Sequence, residues 1–181
     1  PTGAVTVSGR GAAPEDRTEL PPKDRRATAD QFEALLLWRR SVRRFQDREV
    51  DRAAIDRILE MTATAPMGIP PHLVGVVVFA GRDKVSAMVD EAAETFGQMA
   101  KQLNPLMLGL MRPFIGKESH HAMRAFVQPL LAFLAERHEQ GQDVFVYDAP
   151  LVLLFHHAPG AEATDVAIAT TYAMLAAESL G

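Results

Sequence analysis

Arg39-Arg40-Ser41-Val42-Arg43-Arg44-Phe45 sets four guanidiniums and one hydroxyl within six positions. Arginine is permanently charged and forks onto phosphate oxygens, and a serine hydroxyl with turn N–H groups can complete an anion cradle. The run therefore suits a phosphorylated cofactor. The alternative is a solvated basic turn that pairs with Asp47 and Glu49.

Reading outward from this run, Thr28-Ala29-Asp30-Gln31 has the spacing of a capping box, with Phe32, Leu35 and Leu36 on one helical face behind it. A short helix over these residues delivers the basic run. On the other side, Asp51 is placed to N-cap a helix. Val50 and Ile55 stand as a hydrophobic staple, and Ile55, Ile58, Leu59 and Thr62 form its apolar face. Pro66 ends it. The following Ala65-Pro66-Met67-Gly68-Ile69-Pro70-Pro71-His72 is either a stiff connector or a loop whose backbone donors meet a planar ligand, since Gly68 permits close approach. Leu73 to Ala80 is β-branched and apolar without alternation, which predicts a strand covered on both faces.

Val85, Met88, Val89, Ala92, Phe96, Met99 and Leu103 mark an amphipathic helix that Asn104-Pro105 breaks. Residues 106–119 are apolar but interrupted by Gly109, Pro113 and Gly116, and are expected to form a mobile or interface loop. Met123, Phe126, Val127, Leu130, Leu131 and Leu134 predict a further helix, kinked at Pro129 and ended near Gly141. Val144 to Tyr147 and Leu151 to His157 read as strand material broken at Asp148-Ala149-Pro150. A last helix from about Asp165 spreads Ala167, Ala169, Ala173, Ala176 and Ala177 around its cylinder. It is expected to be buried on most sides, in a close-packed core or a subunit interface.

Composition bounds what remains. The 181 residues are 48% apolar and 23% charged, close to globular averages, and suffice for one core without a metal or disulfide staple. A net charge of −4 disfavours broad nucleic-acid binding. The absence of cysteine excludes disulfides, a thiol nucleophile and any iron–sulfur cluster held by this chain. No apolar run reaches the roughly 18 residues of a spanning helix, so no membrane partner and a cytoplasmic location are expected. The pairs His120-His121 and His156-His157 are poor chelators because adjacent side chains diverge, and no metal site is assigned. Nucleophile-elbow, Walker-type and GxGxxG patterns do not occur.

The order of these features, namely a short helix, RRSVRRF, a capped helix ending in AP-x-G, a buried VVV strand and an Ala-rich helix closing in AAESLG, resembles the FMN-dependent nitroreductase family over roughly residues 30–181. The resemblance implies an α+β sandwich, with a central mixed sheet flanked by helices, in an intertwined homodimer that holds FMN at the subunit interface. It implies that Arg39, Arg40, Ser41 and Arg43 hold the FMN phosphate and ribityl chain, and that Pro66, Met67 and Gly68 meet the flavin. Asp165 to Gly181 would be the central helix near the dimer interface. The activity implied is an oxidoreductase that passes a hydride or electrons from NAD(P)H or a ferredoxin-like donor to a nitro, quinone or other conjugated acceptor. No residue is assigned as catalytic acid or base.

Two departures qualify the likeness. Ile69-Pro70-Pro71-His72 stands where family members often carry Asn and Gln, and members continue past the AAESLG helix. The rival expectation is a non-catalytic dimeric binding module that has lost the flavin. Residues 1–27, rich in Gly and Pro, read as a linker or a borrowed edge, and residues 28–181 as the FMN-binding domain, C-terminally incomplete. Pro1-Thr2-Gly3-Ala4-Val5 looks like the sequence after the last cysteine of a ferredoxin-type motif. That likeness suggests a preceding region bearing an iron–sulfur cluster.

Overall fold

A computed structural model describes residues 20–68, 73–160 and 162–181, so Pro1 to Val5, most of the linker and Ile69-Pro70-Pro71-His72 lie outside the described residues. The chain divides into two units, residues 1–38 and 39–181.

In the first unit, a short 3-10 turn at Lys23–Arg25 precedes helix α1, Ala29–Trp38. The capping box forms in both directions: the Gln31 N–H donates to Thr28 Oγ1 at 3.2 Å, and the Thr28 N–H donates to Gln31 Oε1 at 2.9 Å. Two of the helix's otherwise orphaned N-terminal donors are thereby satisfied.

The second unit runs α2 (Arg52–Thr62), β1 (Val74–Ala80), α3 (Arg82–Gln102), α4 (Pro105–Ala122), a π turn (Met123–Val127), α5 (Gln128–Glu139), β2 (Leu151–His157) and α6 (Ala163–Leu180). Asp51 occupies the N-cap of α2 with its backbone carbonyl, which accepts the Ala54 and Ile55 N–H groups, while its side chain makes no cap bond. Ile55, Ile58 and Thr62 are buried along one stripe, and the Thr62 hydroxyl donates back to the Ile58 carbonyl at 2.7 Å. That stripe meets α6 through Ala173 and Ala176, whose small side chains let the helices approach closely. Met61, Leu153 and Phe155 pack around the contact. On the other side, α3 packs along α5, burying Val85, Val89, Ala93 and Leu131.

Among the described residues the sheet is a two-stranded antiparallel pair, with register from Val74 opposite His157 to Ala80 opposite Leu151, instead of the mixed central sheet expected. Gly75 faces His156, and the ring lies so close that a Cβ on residue 75 would sit 2.6 Å from its Cε1 and Nε2. The glycine is there to admit the imidazole. β1 is not covered on both faces, since Val77 and its cross-strand partner Leu154 are exposed.

Four further expectations are corrected. Residues 106–119 are helical, because Asn104 caps α4 by accepting the Met107 N–H at 3.0 Å and Pro105 takes the first helical position, where a missing N–H costs nothing. Gly116 (φ 77°, ψ 169°) then breaks that helix. Pro129 does not kink the helix as expected, because it sits in the first turn of α5, which follows a π turn over Met123–Val127 whose flanking residues Ala122 and Gln128 are both helical. Val144 to Tyr147 is a turn and not a strand. α6 is buried along Ala169, Ala173 and Ala176 only, while Thr170, Thr171, Tyr172, Met174 and Ala177 are exposed, because within this chain α2 and β2 pack against a single side. The C-terminus of α5 does close as expected, with Gly141 at φ 74° and the Gln142 N–H reaching the Arg137 carbonyl at 2.9 Å.

Candidate cofactor-binding site

The basic run is irregular chain between α1 and α2, with the Val42 N–H donating to the Arg40 carbonyl at 3.1 Å, Arg39 half-buried and Arg40, Ser41, Val42, Arg43, Arg44 and Phe45 exposed. Prearranged pairing with acids is not what holds it. Asp47 is drawn toward Arg82, whose Nε lies 3.4 Å from its Oδ1. Among the described residues, Arg39, Arg43 and Arg44 form no ion pair, and Glu49 takes no cation either. Arg40 donates from Nη1 to the Arg39 carbonyl at 3.0 Å.

The Arg43 guanidinium instead lies over the Tyr147 ring, 5.6 Å from its centroid. Tyr147 belongs to the turn that replaces the expected strand, and Asp143 builds this turn. One carboxylate oxygen accepts the N–H groups of Phe145 at 2.8 Å and Val146 at 3.0 Å, and the other accepts that of Asp148 at 2.8 Å. Tyr147 and Asp148 both adopt the left-handed region, at φ 58° and 55°, a conformation disfavoured without glycine. The Phe145 ring stacks on Phe96 of α3 at 5.6 Å.

Arg82, at the start of α3, ties the two pieces together. Its Nη1 donates to the Asp148 carbonyl at 2.6 Å and its Nη2 to the Gln46 carbonyl at 2.9 Å. A cavity of about 400 Å³ beside it is lined by Arg82, Ser86, His138, Asp143 and Asp148 among others. At its rim His138 Nε2 lies 3.1 Å from Asp90 Oδ1.

The Pro66-Met67-Gly68 loop is attached elsewhere. The Gly68 N–H points at the Asp165 carboxylate, 3.1 and 3.0 Å from its two oxygens, and Asp165 lies in the first turn of α6, where the helix dipole favours a negative charge. A Cβ on residue 68 would meet the same carboxylate at 3.0 Å. Pro66 is exposed and Met67 half-buried. The structure thus anchors the basic run to the 143–148 turn, and the Pro66–Gly68 loop to α6. Asp165, Asp143, Tyr147 and Arg82 are the residues that sequence reasoning does not connect with the site. Of these, only Asp143, a carboxylate just ahead of a turn, and Asp165, an acid at a helix start, carry a local signal.

Arg39, Arg43 and Arg44 are permanently charged donors without acid partners among the described residues, and in chemistry such donors fit a phosphate monoester like that of FMN. The model of the nitroreductase family matches residues 36–181. The chain therefore belongs to the nitroreductase family, whose members are generally flavin-dependent oxidoreductases that typically bind FMN. No curated protein matches the chain, and no solved structure does. No helix among the described residues is long and apolar enough to cross a membrane.

Proposed function

We propose that this chain is an FMN-dependent oxidoreductase in which Arg39, Arg40, Ser41 and Arg43 hold the phosphate and ribityl chain. Pro66, Met67 and Gly68 border the flavin ring. Bound FMN would supply the redox chemistry, taking a hydride or electrons from NAD(P)H or a ferredoxin-like donor and passing them to a nitro, quinone or other conjugated acceptor. The chain's own part is binding, orientation and charge: the guanidiniums neutralise the phosphate, and the Ser41 hydroxyl donates to it. The Gly68 N–H is engaged by Asp165, so the loop's other backbone groups and the Met67 side chain are what remain to meet the ring.

One observation carries this reading. Among the described residues, Arg39, Arg43 and Arg44 make no salt bridge with Asp47 or Glu49, which a merely solvated basic turn would use first, and Asp47 goes to Arg82 instead. The working unit is a homodimer, which accounts for the apolar surface that a single chain leaves uncovered. The visible spectrum of the purified protein, with and without added FMN, is the test. Bound flavin is expected, and Arg43→Ala should weaken FMN binding by about 1–3 kcal/mol, the scale of a charge-assisted hydrogen bond. A folded protein that stays colourless after FMN is added would instead be a non-catalytic dimeric binding module.

A further inference from the structure

We infer that Tyr147 is a positioning residue for the anion site, a ring platform that places the Arg43 guanidinium while leaving its N–H donors available to a phosphate monoester. This rests on the phosphate role proposed above for the basic run.

Different partners do different things to an arginine. A carboxylate holds a guanidinium by accepting from its N–H fork, and so consumes the donors and cancels the charge that a phosphate needs. An aromatic face holds the same group by its flat side, and the donors radiate from the edge untouched. Arg43 is held over a ring and not by an acid: its guanidinium carbon lies 5.6 Å from the Tyr147 centroid, and among the described residues it makes no hydrogen bond or ion pair.

The contact is also built from both sides. The Gln46 carbonyl is three residues after Arg43 and the Asp148 carbonyl one residue after Tyr147, and both accept from the single guanidinium of Arg82. Ring and cation are therefore held by a common clamp. The ring's own backbone is kept in the left-handed region at two successive non-glycine residues, and three N–H bonds to the Asp143 carboxylate hold it there. Strain of this sort persists only where surrounding bonds over-determine it, and it concentrates where a side chain must be aimed. Tyr147 itself remains 37% exposed, so the ring serves as a surface platform and not as core.

The test is a double-mutant cycle on FMN affinity, read by flavin fluorescence titration with the full chain. Tyr147→Leu is expected to weaken FMN binding by about two- to fivefold, the value of an exposed cation–π contact. Tyr147→Phe, which keeps the ring face, should retain the affinity of the unmodified protein. In an Arg43→Ala background, Tyr147→Leu should change nothing, because the platform then has nothing to aim. An equal loss in both backgrounds would make Tyr147 merely structural and overturn the inference, as would unaltered affinity in Tyr147→Leu. A second measurement needs no variant at residue 147 to fold. The Arg43 side-chain resonances of the unmodified protein should be displaced upfield by the ring current, and unshifted resonances would overturn the contact itself. Failure of the unmodified protein to bind FMN, with those resonances shifted, would instead overturn the phosphate reading and leave the ring contact in place without its ligand.

Discussion

Gly75 and His156 make a pair in which one residue is absent by half. The imidazole occupies the space where any other residue at position 75 would carry its Cβ, so Gly75→Ala must push the ring out of place or part the two strands. The ring is the outer end of an exposed side chain and can turn aside, so the cost is expected to stay below about 1 kcal/mol, the lower edge of what overpacking costs in a core. A slightly lowered urea midpoint is expected, recovered when His156→Ala is added, and an uncoupled pair in that cycle would contradict the geometry. At this scale the sequence is partly readable. The density of arginine at 39–44 marks the proposed anion site, and the carboxylates that a bland turn would use are visible beside it. Tyr147 is not readable, because its partner lies about a hundred residues earlier, and because its left-handed backbone follows from Asp143 and Arg82 with no glycine to announce it.

Among the elements, α4 shows best why local signals mislead. Asn104-Pro105 reads as the end of one helix, yet the same two residues are an N-cap and a first-turn proline for the next. Gly109 and Pro113 then look like breakers, although both lie within helical backbone, and only Gly116 leaves it. At φ 77° and ψ 169° Gly116 occupies a region that side chains resist. A Cβ there would meet nothing within 4 Å, so space is not the obstacle and backbone strain is. Gly116→Ala should therefore lower the unfolding midpoint by the equivalent of about 1–3 kcal/mol, or else straighten α4 into the π turn. A calorimetric scan with circular dichroism distinguishes those outcomes from the unchanged stability that would refute the strain. By contrast the capping box of α1, the face of α2 and the glycine end of α5 all follow from sequence, since each is set by residues within one or two turns of one another.

For the whole molecule, the uneven burial is the informative feature. No large side chain is fully buried among the described residues, whereas Leu106 is 85%, Leu110 67% and Phe114 86% exposed, and these three repeat every four residues along one face of α4. A monomer in water gains nothing from such a face. Replacing Leu110 and Phe114 together by Glu is expected to convert a dimer to a monomer in light scattering, and an unaltered mass would assign the interface to another surface. The uncovered side of α6, with Tyr172 and Met174, and the exposed pair Val77 and Leu154 belong to the same account, since these are surfaces that sequence assigns to burial and that one chain leaves open. Fold class is legible because the order of helix and strand is local. The pairing of the strands and the coverage of α6 are not, because they depend on what comes from far along the chain or from outside it.

The bond between the Gly68 N–H and the Asp165 carboxylate spans 97 positions of chain. During synthesis, the basic run and the loop after α2 leave the ribosome long before that carboxylate exists. Until then the loop has lost none of its conformational freedom to this bond. Contacts of such separation form late, after more local helices have paired. The loop expected to face the flavin thus acquires this anchor only when the final helix arrives, and a chain interrupted before residue 165 would display its arginines without it.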